Sequence, residues 1–168
     1  MRWHVSHRYD PPANALAKQH YTCQSPDSDQ YIAPGTYVAL VIPGSAVWVT
    51  LKQKPEYVDH AWPGAWLNSI FRNQRGPNDE PPEHLSSELI WEAIAATRFY
   101  WDPPEMGLIT FINERKVKRK RDLGRCYRKV GFREVGRTKK KGHLVLQLLP
   151  EQMPPAEMPF GAQLELTA

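Results

Sequence analysis

"FINERKVKRKRDLGRCYRKVGF", residues 111–132, decides how the rest of this chain is read. It starts as the apolar end of a strand, runs through six basic residues out of seven from Arg115 to Arg121, and closes on an amphipathic segment ending Gly131-Phe132. A strand, a charged connection and a short glycine-stopped helix, in that order, point to an α/β fold. Neighbouring segments extend the pattern. "GLITFIN" (107–113) predicts a buried strand, "LGRCYRKV" (123–130) a short helix, and "HLVLQLL" (143–149) a final strand with "FREVGRTKK" paired beside it.

Upstream, "TYVALVI" (36–42) and "AVWVTLK" (46–52) are β-branched runs joined by Pro43-Gly44-Ser45, a hairpin signal. "AWLNSIFRN" (65–73) is a third strand candidate. "RGPNDEPPEH" (75–84) must be loop, because a glycine and three prolines forbid regular pairing. The clearest helix is "LSSELIWEAIAATRFYW" (85–101): Leu89, Ala93 and Thr97 stack at i+4 intervals, as do Ile90 and Ile94, with Glu88 and Glu92 outward. Ser86 or Ser87 is the expected N-cap, and Asp102-Pro103-Pro104 stops the helix. "ANALAKQHY" (13–21) predicts a short helix after Pro11-Pro12. Residues 1–150 thus read as one α/β domain, a mixed β-sheet flanked by helices. Residues 151–168 read as a proline-rich C-terminal tail, extended or poorly ordered.

A chain of 168 residues is long enough for a core without metals or disulfides. Its two cysteines, Cys23 and Cys126, make no CxxC pair, which predicts a reducing compartment. No apolar run approaches the roughly 18 residues that cross a bilayer, and the first ten residues lack a secretion signal's hydrophobic stretch, so a soluble cytoplasmic protein without membrane contact is expected. The net charge of +4 is unevenly placed: residues 108–143 hold 14 Lys and Arg against 3 acids, and the remainder holds 8 against 15. Such separation attracts polyanions, with nucleic acid first among them. A solvated charged face, or a phosphate-rich cofactor, would use the same residues.

Tyr127-Arg-Lys-Val-Gly131-Phe132 resembles the Y-x-x-x-G-F segment of the GNAT acyltransferase superfamily, and the order of elements is similar. More narrowly, residues 13–150 resemble the Mom-like DNA-modification proteins of phages. The likeness rests on His20-Tyr21, Arg72-Asn73, Leu85-Ser86-Ser87, Phe111-Ile112-Asn113 and Gly124-Arg-Cys-Tyr127. It implies a GNAT-like mixed sheet and an acyl-CoA cofactor such as acetyl-CoA. It also implies a carbamoylmethyl group placed on the N6 amine of adenine in double-stranded DNA, an anti-restriction modification made in the cytoplasm of an infected bacterial host. By the same resemblance Tyr127 is the general acid beside the thioester sulfur, and Arg72, Asn73, Arg75, Ser86 and Ser87 receive the cofactor phosphates. Arg72, Ser87 and Asn113 join Tyr127 as catalytic residues. His20 and Tyr21, with Asn113, orient the base, and Lys116, Lys118, Arg119, Lys120 and Arg121 hold the DNA. Two departures stand out. The aspartate usual in Mom-like proteins is Asn113 here, with Glu114 next to it, and the superfamily's glycine-rich phosphate loop is replaced by "RNQRGPNDEPPEHLSS" (72–87).

The chemistry can be argued apart from the family. Attack of an amine on a thioester passes through an oxyanion and expels a thiolate; thiols titrate near 8.5 and phenols near 10, so a tyrosine proton can assist departure. An amine conjugated to a nucleobase is a weak nucleophile, so positioning must contribute heavily. Plain acyl transfer does not by itself give a carbamoylmethyl product. Two other functions fit the residues: an N-acetyltransferase for a small amine or an already modified pyrimidine, and a non-catalytic nucleic-acid-binding protein on a degenerate scaffold. A metal, iron included, and a homodimer are both left open. Each singled-out residue also has a plainer reading. Tyr127 can be a core tyrosine, His20 and Tyr21 can pack the first helix, Ser86 and Ser87 can be caps, and Trp62 and Trp66 can be packing residues rather than base-stacking ones.

Overall fold

The structure, a computed structural model, describes residues 1–23, 25–117 and 122–163. Seven strands form one mixed sheet: β1 (His4–Ser6), β2 (Thr36–Ile42), β3 (Ala46–Lys52), β4 (Trp66–Asn73), β5 (Leu108–Ile112), β6 (Arg133–Arg137) and β7 (Leu144–Leu148), in the spatial order β1-β2-β3-β4-β5-β7-β6. Helix α1 (Pro11–Ala17) covers one face; α2 (Ser86–Tyr100) and α3 (Arg125–Val130) cover the other. This explains the strand sequences. Along β2 and β3, Leu40 and Trp48 point into the α2 side while Val41, Val47 and Val49 meet Ala13, Leu16 and Ala17 of α1. A strand buried on both faces has no polar side to alternate with, so it reads as a continuous apolar run.

β4 and β5 are the one parallel pair among the described strands, joined by α2 as crossover. They pair only from Trp66–Asn68 against Leu108–Thr110, and then part. The cause lies in β4. Thr50 of β3 faces Asn68 while Val49 faces Ile70, which leaves Ser69 without a partner in a bulge. A bulge adds bend and twist to its strand, and this one sits where β4 leaves β5. Past it, the sheet is open down its middle.

Several expectations are corrected. β1 was not predicted, being three residues long; it is held because the fully buried Trp3 donates its indole N–H to Leu89 O in α2 at 2.9 Å. α1 ends at Ala17 rather than Tyr21, since Gln19 and His20 bond back only three residues, to Leu16 O and Ala17 O, and the last turn tightens and stops. His20 and Tyr21 therefore lie in the turn after the helix. The N-cap of α2 is Leu85, with no side-chain capping bond, so neither Ser86 nor Ser87 caps it. Beyond the single 3-10 turn Pro150–Gln152, the tail as far as residue 163, expected to be extended or poorly ordered, is packed onto the domain. Met153 is buried, Glu157 N–H bonds Ala95 O at 3.0 Å, and Phe160 exchanges backbone bonds of 2.9 Å with Trp3 and Val5. Its prolines reduce the entropy lost on docking.

Gly107 sets where β5 can start. Its φ is +65°, and a Cβ there would lie 2.0 Å from Leu148 O of β7. Gly44, in the β2–β3 turn, has a similar φ of +73° but nothing within 4 Å. Gly107→Ala is therefore expected to cost about 3 kcal/mol or more, because strain and a backbone clash add, whereas Gly44→Ala costs about 1 kcal/mol for strain alone. Urea unfolding of the two variants measures the difference.

Candidate functional site

The gap between β4 and β5 is where the chain's unusual polar groups meet. Asn68, 4% exposed in the middle of an apolar strand, donates from Nδ2 to Val49 O (3.0 Å) and Ile70 O (2.9 Å), which stitches the bulge shut. Its Oδ1 accepts the Tyr127 hydroxyl proton at 2.7 Å. α3 delivers that hydroxyl. Gly124 starts the helix at φ +69°, a conformation that favours glycine, and a Cβ there would lie 2.6 Å from the side-chain ends of Ile112 and Leu146, so a larger residue would add both strain and repacking where α3 meets the sheet. Burial pushes the Tyr127 phenol well above its ordinary value, the neighbouring Cys126 adds to this, and the hydrogen bond from Thr110 opposes it. Tyr127 is thus a protonated donor at any physiological pH.

Two clefts open from this gap, one on each face of the sheet. The first, of about 810 Å³, lies on the α2–α3 side and is lined by His20, Ser86, Ser87, Gly124, Arg125 and Tyr127 among others. The second, of about 740 Å³, lies on the α1 side under the β6–β7 turn. Tyr21, Asn68, Ser69 and Phe111 border both. Tyr21 crosses the opening to donate its hydroxyl to Phe111 O at 3.3 Å, and burial raises its pKa. His20 stacks on Tyr21 with ring centroids 4.4 Å apart. Its Nδ1 faces Thr22 Oγ1 at 2.7 Å and accepts from Thr22 N–H at 3.3 Å. Burial first, then the charge of Arg72, lowers the His20 pKa to about 4, so the ring is neutral.

The first cleft gathers some of the residues expected from sequence and not others. Tyr127, Ser86, Ser87, His20 and Tyr21 line it. Arg72 points to the other face, where Nη1 and Nη2 bond Gln19 O (3.1 Å) and Gln19 Oε1 (3.0 Å) and Nε bonds Gln74 (2.9 Å). That guanidinium clips the loop after α1 to β4. Asn73 ties the entry of α2, donating to His84 O (2.8 Å) and Ser86 Oγ (3.0 Å). Arg75 folds back on its own loop, bonding Asp79 O and pairing with the Asp79 carboxylate at 2.6 Å. Asn113 Oδ1 caps a turn through Arg115 N–H at 3.1 Å, and Asn113 lines neither cleft. Glu114 pairs with Arg137 at 2.9 Å. Lys116 is exposed beside Val117, which lines the first cleft. Lys118, Arg119, Lys120 and Arg121 lie outside the described residues, but Val117 and Asp122 on either side of them both border that cleft.

Sequence reading missed Asn68, Arg125 and Lys129, which line the same cleft. For Asn68 the signal was present: an amide amid "AWLNSIF" is out of place in a strand buried on both faces. Trp66 is 1% exposed in the core, and Trp62 lies 3.4 Å from where a Gly136 Cβ would be, so both pack. Neither Cys23 nor Cys126 forms a disulfide. Among the described residues no three His, Cys, Asp or Glu are grouped to hold a metal ion, and no helix is long and apolar enough to cross a membrane.

No family model matches the chain, and no curated protein or solved structure matches it.

Two outcomes are expected of this site. Asn68→Leu keeps the size but strands the Tyr127 hydroxyl and two bulge carbonyls, and should cost about 3 kcal/mol in denaturant unfolding. In NMR titration, the His20 ring should stay neutral until about pH 4. Because that value lies below the unfolded 6.5, its contribution to stability is fully present above pH 6.5 and is lost as pH falls from there through about 4.

Proposed function

We propose that this protein is an acyl-CoA-dependent enzyme of GNAT type that modifies bases in duplex DNA, in the manner of Mom-like proteins. The observation that carries the reading is the opening between β4 and β5, with a buried phenol at its edge and the uncapped N-terminus of α2 facing the same cleft. The mixed sheet and its element order are consistent with the acyltransferase resemblance.

The first turn of α2 offers backbone N–H groups that helical geometry leaves unpaired, and its dipole favours an anion. Ser86 and Ser87 with those N–H groups, helped by Arg125 and Lys129, would hold the diphosphate of an acyl-CoA. Arg72 and Arg75, engaged elsewhere, would not. The thioester supplies the activated acyl carbon. Tyr127 holds a proton at the gap, and Asn68 fixes the direction of its hydroxyl. When the N–C bond forms and the C–S bond breaks, the phenol proton turns from Asn68 Oδ1 to the departing thiolate, and the amine's proton replaces it on the phenol and restores the bond to Asn68. The phenol's raised pKa suits this only if the sulfur is equally desolvated, since burial raises thiol and phenol alike. His20, neutral and stacked on Tyr21, is able to accept a proton or a hydrogen bond from the incoming amine. The basic run from Arg115 to Arg121 would add to the charge that draws the DNA backbone to the protein.

One observation favours a second reading, a nucleic-acid-binding protein without catalysis: the arginines expected at the phosphates are spent on internal contacts. Calorimetry with acetyl-CoA separates the two. Under the first reading it binds, and under the second there is no heat at millimolar ligand. Tyr127→Phe should then lower turnover at least 100-fold while leaving acetyl-CoA affinity within about twofold, as expected for loss of a general acid. Mass spectrometry of nucleosides from DNA of expressing cells identifies the base and the added mass, including whether the group is carbamoylmethyl.

A further inference from the structure

The second cleft has features the reading above does not use. Its walls are apolar and aromatic, from Tyr31, Ile32, Leu51, Leu67, Ile70 and Phe111. Its rim is cationic, formed by the β6–β7 turn with Lys139, Lys140 and Lys141. Asp59 across the mouth pairs with Lys140, while Lys139 and Lys141 are exposed beside it. At the α1 end stands Asn14, 8% exposed. Its Nδ2 donates to Ser28 O at 3.2 Å, which fixes the amide's orientation, and its Oδ1 is buried with no hydrogen-bond partner. A buried acceptor without a partner is uncommon and calls for an explanation.

These features together describe a ligand: flat and largely apolar in its faces, carrying N–H donors on its edge, and attached to negative charge that stays at the mouth. A nucleobase on a phosphodiester strand has all three properties. An enzyme working on an atom inside a duplex must also extrude the base to reach it. Resting on the DNA-modifying reading, we propose that this α1-side cleft receives the extruded base, with Lys139 and Lys141 on the flanking phosphates and Asn14 Oδ1 accepting from the base edge. The residues shared by the two clefts, Tyr21, Asn68, Ser69 and Phe111, then form the passage through which the base reaches the phenol on the other side. Because Oδ1 is sealed from solvent, the loop carrying Ser28 and Tyr31 must shift as the base enters.

The test uses the full chain and a duplex carrying one 2-aminopurine, whose emission rises when the base leaves the stack. Wild type should bind and brighten it. Lys139→Ser/Lys141→Ser, two exposed positions that leave the fold intact, should weaken binding at least tenfold at 150 mM salt and reduce the slope of log affinity against log salt by about 1.8, the loss of two phosphate contacts. Asn14→Leu, which removes the partnerless acceptor together with the Nδ2 bond to Ser28 O, should lower the melting temperature by only a few degrees and bind the duplex within threefold, yet lose most of the emission rise. An unchanged salt slope in the double variant, or full brightening in Asn14→Leu, overturns the proposal. Acetyl-CoA calorimetry on the same preparations keeps the two readings apart. If the variants behave as stated but wild type binds no acetyl-CoA, the base cleft stands and the acyl-transfer reading falls; acetyl-CoA binding with unaltered DNA behaviour in both variants has the opposite meaning.

Discussion

The hydrogen bond from Tyr127 to Asn68 is the constraint on which the centre of this molecule depends. Asn68 has one carbonyl and one amide nitrogen, and each is committed. The nitrogen closes the β4 bulge through Val49 O and Ile70 O, and the oxygen receives the phenol. A single side chain thus fixes both the place where two parallel strands separate and the direction of the Tyr127 hydroxyl beside the separation. An apolar residue at position 68 would leave the bulge carbonyls unmatched in a buried site, where a lost partner costs more than an unmade bond in water. The opening in the sheet and the donor within it are therefore one structural feature.

Much of the fold was legible because it obeys period and punctuation. β2 and β3 have the bounds read from "TYVALVI" and "AVWVTLK", and α2 begins and ends within one residue of its prediction. Both follow from local rules: β-branched runs split by a Pro-Gly turn, and i+4 apolar spacing stopped by Asp-Pro-Pro. What was not legible depends on distant partners. β1 exists because Trp3 reaches Leu89 across the sequence, and the tail is held near Phe160 because that residue finds the free edge of β1. Neither partner can be inferred from a window of neighbouring residues.

The site divides along the same line. Tyr127, Ser86 and Ser87 fall in one cleft because each belongs to an element whose position the sequence fixes, a helix start or a glycine-stopped turn. Arg72 and Asn73, adjacent in sequence, point to opposite faces of β4, as strand alternation requires, so they could not both attend one phosphate group. Assigning two residues to one ligand by proximity in sequence ignores that period. Arg125 and Lys129 obey the helical period instead: four residues apart on α3, they share a face and line the cleft together.

Charge placement gives the last step. The basic third of the sequence is not gathered in one place: Arg125 and Lys129 line the first cleft, with Lys116 exposed beside Val117 at its border, while Lys139, Lys140 and Lys141 line the second. The body between them is acidic in net balance. Two positive lips on opposite sides of a sheet that is open between them give a polyanion a choice of entry, whereas a single ridge would give it one. What lies behind the two lips differs. The helix N-terminus behind the first suits a compact diphosphate, and the aromatic walls and lone amide oxygen behind the second suit a base. On the proposed function, separation of this kind would let two anionic ligands meet at one hydroxyl without competing for the same cations.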